Sequence, residues 1–208
     1  MRKGFGICCI ILGVCCLLAS LGLIAYNRWE EEKAQSASMN ILLDIRESIP
    51  DHSREETGLE KSDRDESSEI SADLPKEMPT TQVDGYDAIG VLSIPVLELE
   101  LPVLTDWSYA KLKIAPCHYF GSYYEKNFVI AAHNYRSHFG RLSELQSEDI
   151  ILFTDISGAV HCYEVVLMET LPGSATEEMI ASGFDLSLYT CTPGGGNRLT
   201  VRCREVSD

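Results

Sequence analysis

Polar and apolar positions divide the chain into three stretches of different character. Residues 4–26, GFGICCIILGVCCLLASLGLIAY, run for 23 positions without a charge. At about 1.5 Å rise per residue, such a helix is long enough for a hydrocarbon core of ~30 Å. Arg2 and Lys3 precede it, and Glu30, Glu31 and Glu32 follow. The positive-inside rule therefore predicts residues 1–3 in the cytoplasm and everything after Asn27 outside the cell. A signal peptide has an apolar region of only about 7–15 residues, and no small-x-small cleavage site is evident, so the reading is an uncleaved transmembrane anchor over 4–26.

Residues 27–84 read as an acidic extracellular stalk. Residues 28–84 hold 16 acidic and 7 basic side chains. The stretch HSREETGLEKSDRDESSEIS has almost nothing to bury, so the stalk is expected to be mostly disordered. Met39, Leu42, Leu43, Ile45 and Ile49 offer a short amphipathic helix before Pro50, but a solvated segment that holds the rest of the chain off the membrane is the expectation.

From Gly85 onward, apolar-rich runs recur at 88–94, 99–104, 127–132, 150–154, 160–168, 186–191 and 198–202. They are rich in Val, Ile, Tyr and Thr and are separated by turn residues at 155–158, 172–173 and 193–196, which reads as strands. Helical stretches are expected at 109–114, 139–146 and 176–182. The prediction is an all-β fold over 85–208, a small antiparallel barrel or sandwich with a few short helices.

Composition narrows the function classes. Apolar residues make up 45% of the 208, enough for a packed core, and the net charge of −15 argues against a nucleic-acid binder, which needs a basic face. Of eight cysteines, Cys8, Cys9, Cys15 and Cys16 fall inside the apolar run. Cys117, Cys162, Cys191 and Cys203 show no CxxC or CxxC…HxxxH spacing, which argues against a zinc finger or a disulfide scaffold.

The densest chemistry lies in the segment 187–202, SLYTCTPGGGNRLTVR. Folded as a hairpin with 193–196 as the loop, it sets Thr192 opposite Asn197 and Cys191 opposite Arg198, with Cβ atoms about 4.5–5.5 Å apart. A guanidinium there favours a thiolate, or donates to an oxyanion forming on an attacked carbonyl. Arg202 has the same parity but falls opposite Ser187, about 13 Å further along the strand. A thiol nucleophile needs an acid/base partner, and the domain offers His118, His133, His138 and His161. His133 ends the apolar strand 127–132, where a rigid element can aim it into a cleft. His138 reads as a cap or surface residue, His161 as a cross-strand partner and His118 as a loop residue. Position favours His133 without deciding it.

Four segments in order resemble the sortase family. SLYTC followed by Arg198 is similar to its TLxTC…Arg signature, and IGVLSIP at 89–95 to its first strand. CHYFGS at 117–122 resembles its HYxGS-type loop, and VIAAHN at 129–134 the strand that ends in its catalytic histidine. The resemblance covers about residues 86–205. It implies an eight-stranded β-barrel cysteine transpeptidase on the outer face of a Gram-positive cell. Such enzymes cleave an LPxTG-like sorting signal through a thioester and pass the protein to an amine of cell-wall precursor or a pilin lysine. By the same resemblance, Cys191 matches the nucleophile, His133 the acid/base, Arg198 the oxyanion and substrate arginine, and Thr190 the residue supporting the oxyanion.

Ser187 replaces the usual Thr, the Cys191–Arg198 loop is short, and YYEK follows HYFGS in place of Pro-Gly-Glu. HNYRSHFGRL has a class B style and Cys-Thr-Pro a class C or D style, so no class is assigned. Neither a metal nor another cofactor is expected: Glu144, Glu148 and Asp149 lack Ca²⁺-ligand spacing and read as a solvated face. Cys117, Cys162 and Cys203 read as structural thiols. Two other functions fit some of these features: a cysteine endopeptidase of the same fold that hydrolyses its thioester, and a non-catalytic extracellular binding module.

Overall fold

The computed structural model describes residues 2–49 and 77–206. Helix α1 (Arg2–Ser48) carries the apolar run and continues unbroken past it. An 18-residue window of mean hydropathy 2.2 lies in its described part, and that window is wholly unburied. Leu12, Leu17 and Leu23 are each more than 60% exposed, which makes this half a candidate membrane span.

Beyond residue 27 the helix departs from the expected stalk. Glu30 and Glu31 are half-buried, Ala34, Ser38, Ile41, Leu42 and Ile45 are buried, and the intervening positions are mostly exposed. This spacing of three and four residues is one helical face. It packs on Val83, Ala88, Val91, Leu104, Ala115 and Cys117 of the β-domain. Ile41, Leu42 and Ile45 each contribute about 1.5–3 kcal/mol by that burial, which is why a charge-rich segment stays helical and docked. Arg46 adds an ion pair to Glu100. The remaining part of the expected stalk, 50–76, lies outside the described residues.

The β-domain begins before Gly85, with β1 (Thr81–Val83). The other strands are β2 (Tyr86–Ile94), β3 (Leu99–Leu104), β4 (Cys117–Phe120), β5 (Phe128–Ala131), β6 (Ile150–Asp155), β7 (Val160–Pro172), β8 (Leu186–Cys191) and β9 (Asn197–Glu205). Their order is β1-β2-β3-β4-β5-β8-β9-β7-β6, and a β2–β6 pairing closes β2 to β9 into an eight-stranded barrel with β1 appended. At that seam Gly90 is obligatory, because a Cβ there would run into the Thr154 carbonyl and the Phe153 ring. Inside the barrel, Leu92, Ile94, Phe128, Ile130, Phe153, Tyr163, Leu188 and Val201 form the main core.

Three expectations change. The sheet is not purely antiparallel, because β3–β4 and β5–β8 are parallel. The segment around His118 is a strand, paired to β5. The helix expected at 139–146 shrinks to a 3₁₀ turn, Leu142–Glu144, after which Leu145 is already extended. Its apolar anchors Phe139, Leu142 and Leu145 all enter the core, while Asp149 caps the backbone N–H of Gln146 at 2.7 Å and ends the turn. The other two helices are α2 (Tyr109–Leu112), capped by the Ser108 hydroxyl, and α3 (Thr176–Ile180).

Candidate active site

The parallel pairing of β5 with β8 builds the site. Its register runs Phe128↔Leu186 to Ala131↔Tyr189. Two further bonds extend it, Ala132 N to the Tyr189 carbonyl at 3.2 Å and Thr190 Oγ1 to the Ala132 carbonyl at 2.9 Å. Just beyond this register, His133 and Cys191 line the same groove. Alternation sends Leu188 and Thr190 into the barrel and Tyr189 and Cys191 onto its outer face, where residue 133 follows Ala131. Thr190 is 3% exposed, and its hydroxyl is committed to tying the residue before Cys191 to the residue before His133.

The β8–β9 hairpin has the expected register: Cys191 faces Arg198 and Ser187 faces Arg202. The two arginines differ in surroundings. Arg198 is half-buried at the strand end, with Nη1 donating to the carbonyls of Gly195 (2.9 Å) and Asn197 (3.1 Å). Its Nε and Nη2 make no hydrogen bond among the described residues. Arg202 is 1% exposed. It donates to Glu169 (2.8 Å), Ser187 Oγ (2.9 Å) and the carbonyls of Met179 (3.0 Å) and Glu178 (2.7 Å). Arg202 thus pins α3 across β9, and the hydroxyl retained at Ser187 is one of its acceptors.

Of the four histidines, His133 is the one that lines the groove containing Cys191. His118 wedges between the carbonyls of Thr105 (3.0 Å) and Gly121 (2.7 Å). His138 is fully buried, and that burial pushes it down to about 4. His161 sits between Asp155 and Glu205, against the Tyr123 ring. The groove encloses about 230 Å³ and is lined by His133, Cys191, Arg198, Tyr189, Tyr119, Trp107 and Met179, among others. Trp107, Tyr119 and Tyr189 form one aromatic wall, with ring centroids 5.5 and 5.2 Å apart. Sequence reasoning missed this wall, because its members come from three segments that only the barrel brings together.

His133 is itself half-buried and stacks on Tyr135 at 4.8 Å. Burial first, then the Lys113 ammonium, holds its pKa below the ordinary 6.5, and Glu30 works in the opposite direction. At neutral pH the ring is therefore mostly uncharged and able to accept a proton. Cys117 and Cys203, by contrast, are fully buried thiols pushed up to about 12 by burial, which leaves them inert. Cys117, Cys162, Cys191 and Cys203 are all free. Among the expected solvated carboxylates, Glu144 pairs with Arg141 at 2.9 Å.

Residues 92–206 match the sortase domain family. Among solved structures, sortase A from Corynebacterium diphtheriae aligns with a TM-score of 0.52 at 23% identity, covering 59% of this chain and 62% of its own. Sortase C1 from Streptococcus suis gives 0.50 at 26%, covering 58% and 74%. Clostridium perfringens sortase C, solved with the C-terminal cell wall sorting motif, gives 0.52 at 22%, covering 59% and 72%. This chain thus spans less than two thirds of the Corynebacterium protein. Comparison with curated proteins gives no match.

Proposed function

The chain belongs to the sortase family, and from that premise we propose that it is a membrane-anchored cysteine transpeptidase acting on LPxTG-like sorting signals. The observation that carries the reading is the convergence of Cys191, His133 and Arg198 on one groove. In the proposed reaction, neutral His133 takes the Cys191 thiol proton as Sγ attacks the scissile carbonyl carbon. The free N–H groups of Arg198 face the oxyanion that develops. Collapse breaks the C–N bond, His133 hands its proton to the leaving amine, and a thioester remains on Cys191. An acceptor amine, from peptidoglycan precursor or a pilin lysine, then loses a proton to His133, attacks the thioester and frees the thiolate. Thr190 supports this indirectly, by locking the two strand ends that present the pair.

The apolar half of α1 supports anchoring at residues 4–26, with residues 1–3 inside and the barrel outside. The test uses the full chain in detergent micelles, because α1 is part of the packing. It is incubated with LPxTG-like peptides, with and without triglycine, and read by intact mass. A peptide adduct on Cys191, lost in Cys191→Ala and released as a triglycine conjugate, is the expected result. Hydrolysis at the same rate with and without amine would replace transpeptidation by endopeptidase action. A folded protein whose free thiol forms no adduct would overturn the enzymatic reading.

A further inference from the structure

Helix α1 reaches the loop that follows His133. Glu31 Oε1 accepts from the backbone N–H groups of Arg136 (2.5 Å) and Ser137 (3.3 Å), three and four residues past His133. That loop closes on itself through Phe139 N to the His133 carbonyl at 3.1 Å. Glu30, the preceding residue, forms an ion pair with Lys113 at 3.0 Å and accepts from the Tyr26 hydroxyl at 3.2 Å. These carboxylates are not on a mobile tether. Ala34 is 3% exposed one turn further on, and Ile41 and Ile45 are buried two to three turns beyond that, so Glu30 and Glu31 are held by the same face that docks the helix.

We propose that Glu30 and Glu31 are positioning residues for His133: Glu31 fixes the loop that carries the ring, and the Glu30–Lys113 pair sets the charge around it. This rests on the reading of His133 as the acid/base. Other titratable groups share its surroundings. Tyr135 and His138 come from its own loop, and Cys191, Arg198, Tyr109, Tyr119 and Tyr189 line the same groove. Of these, Tyr135 also feels both Glu30 and Lys113, and burial keeps its hydroxyl protonated where a histidine titrates. The two members of the ion pair act on the ring with opposite sign. Removing one member exposes the other. Glu30→Gln leaves the Lys113 ammonium unopposed and lowers the His133 pKa. Lys113→Met leaves the Glu30 carboxylate unopposed and raises it. A helix that merely stabilised the fold would move neither.

The experiment titrates the histidine rings of the full chain in micelles by NMR, with the His133 resonance assigned by its loss in His133→Gln. This readout needs no substrate. Opposite shifts in the two single variants, with Glu30→Gln/Lys113→Met lying between them, are the expected result. Three superimposed curves, or shifts of the same sign, overturn the proposal for Glu30. For Glu31, turnover of a sorting-signal peptide should fall about tenfold in kcat with KM unchanged in Glu31→Ala. Glu31→Gln, which keeps an acceptor oxygen, should restore turnover to within about threefold. Unchanged kcat in Glu31→Ala, or no rescue by Gln, overturns the positioning role. Wild-type turnover in His133→Gln would instead overturn the assignment of His133 itself, a distinguishable failure.

Discussion

Arg198 and Arg202 lie on the same side of β9, four residues apart, but Arg198→Met and Arg202→Met should fail in different ways. Arg202 is 1% exposed and serves Ser187 Oγ, two α3 carbonyls and Glu169. Methionine fills most of its volume and satisfies none of these acceptors. Glu169 is one-third exposed and recovers water, but the two carbonyls and the hydroxyl are left in an apolar seam. Truncating one partner of a buried charged network costs about 3–5 kcal/mol. With a urea m-value of about 2 kcal/mol/M, the unfolding midpoint of the full chain in micelles should fall by about 2 M. Arg198 bonds only to carbonyls of its own exposed turn, so Arg198→Met should cost less than about 0.5–1 kcal/mol while lowering kcat some 10²–10³-fold. Urea melts of both variants, followed by tryptophan fluorescence and paired with turnover at a urea concentration where each is folded, make the comparison. A loss below 1 kcal/mol for Arg202→Met, or matching stability losses for the two variants, would refute the division of labour.

Acid should weaken the fold through His138. Its folded pKa of about 4 lies below the unfolded 6.5, so the unfolded chain binds the extra proton between those values. Stability then falls as pH drops from 6.5 to 4, by up to about 3 kcal/mol, and His138→Phe should flatten that slope relative to wild type in melts across the window. Turnover that depends on neutral His133 should decline on an acidic limb centred below pH 6.5, because its pKa is held down by burial and Lys113; a limb centred above 6.5 in a kcat/KM profile would contradict this. Ile45→Ala, at a fully buried contact between α1 and the barrel, should cost about 2–5 kcal/mol of local stability. Hydrogen exchange should then speed up across 34–48 and stay unchanged in β8 and β9, and uniform acceleration would speak against a separately docked helix.

Local chemistry made much of this molecule readable. The 186–191 and 198–202 runs and the turn at 193–196 carried enough pattern to place Cys191 opposite Arg198 and Ser187 opposite Arg202, and both pairs are in the structure. Two features escaped. The docking face of α1 consists of Glu30, Glu31, Ala34 and Ser38 before it reaches Ile41, so the amphipathic pattern at 39–49 announced only its last turns, and the surrounding acidic residues resembled a disordered stalk. The neighbourhood of His133 and Cys191 depends on a parallel β5–β8 pairing between segments more than 50 residues apart, which alternation within either strand does not encode. Arg202 was legible only in part: its parity set it across from Ser187, but the α3 carbonyls it serves come from the barrel's tertiary wrapping.

Because α1 is continuous from the apolar run to Ser48, the helix acts as a rigid post and not as a leash. For a chain that crosses the bilayer at 4–26, Glu31 lies five residues beyond the hydrocarbon edge, about 8 Å along the helix axis. The groove beside His133 is thereby fixed at the level of the lipid headgroups, whatever the length of the segment that follows α1. A flexible tether would let the domain sweep a hemisphere of extracellular space, whereas a post confines it to a thin layer. In the proposed membrane-anchored arrangement, a polypeptide that is itself membrane-held would meet this groove by a two-dimensional search governed by lateral diffusion.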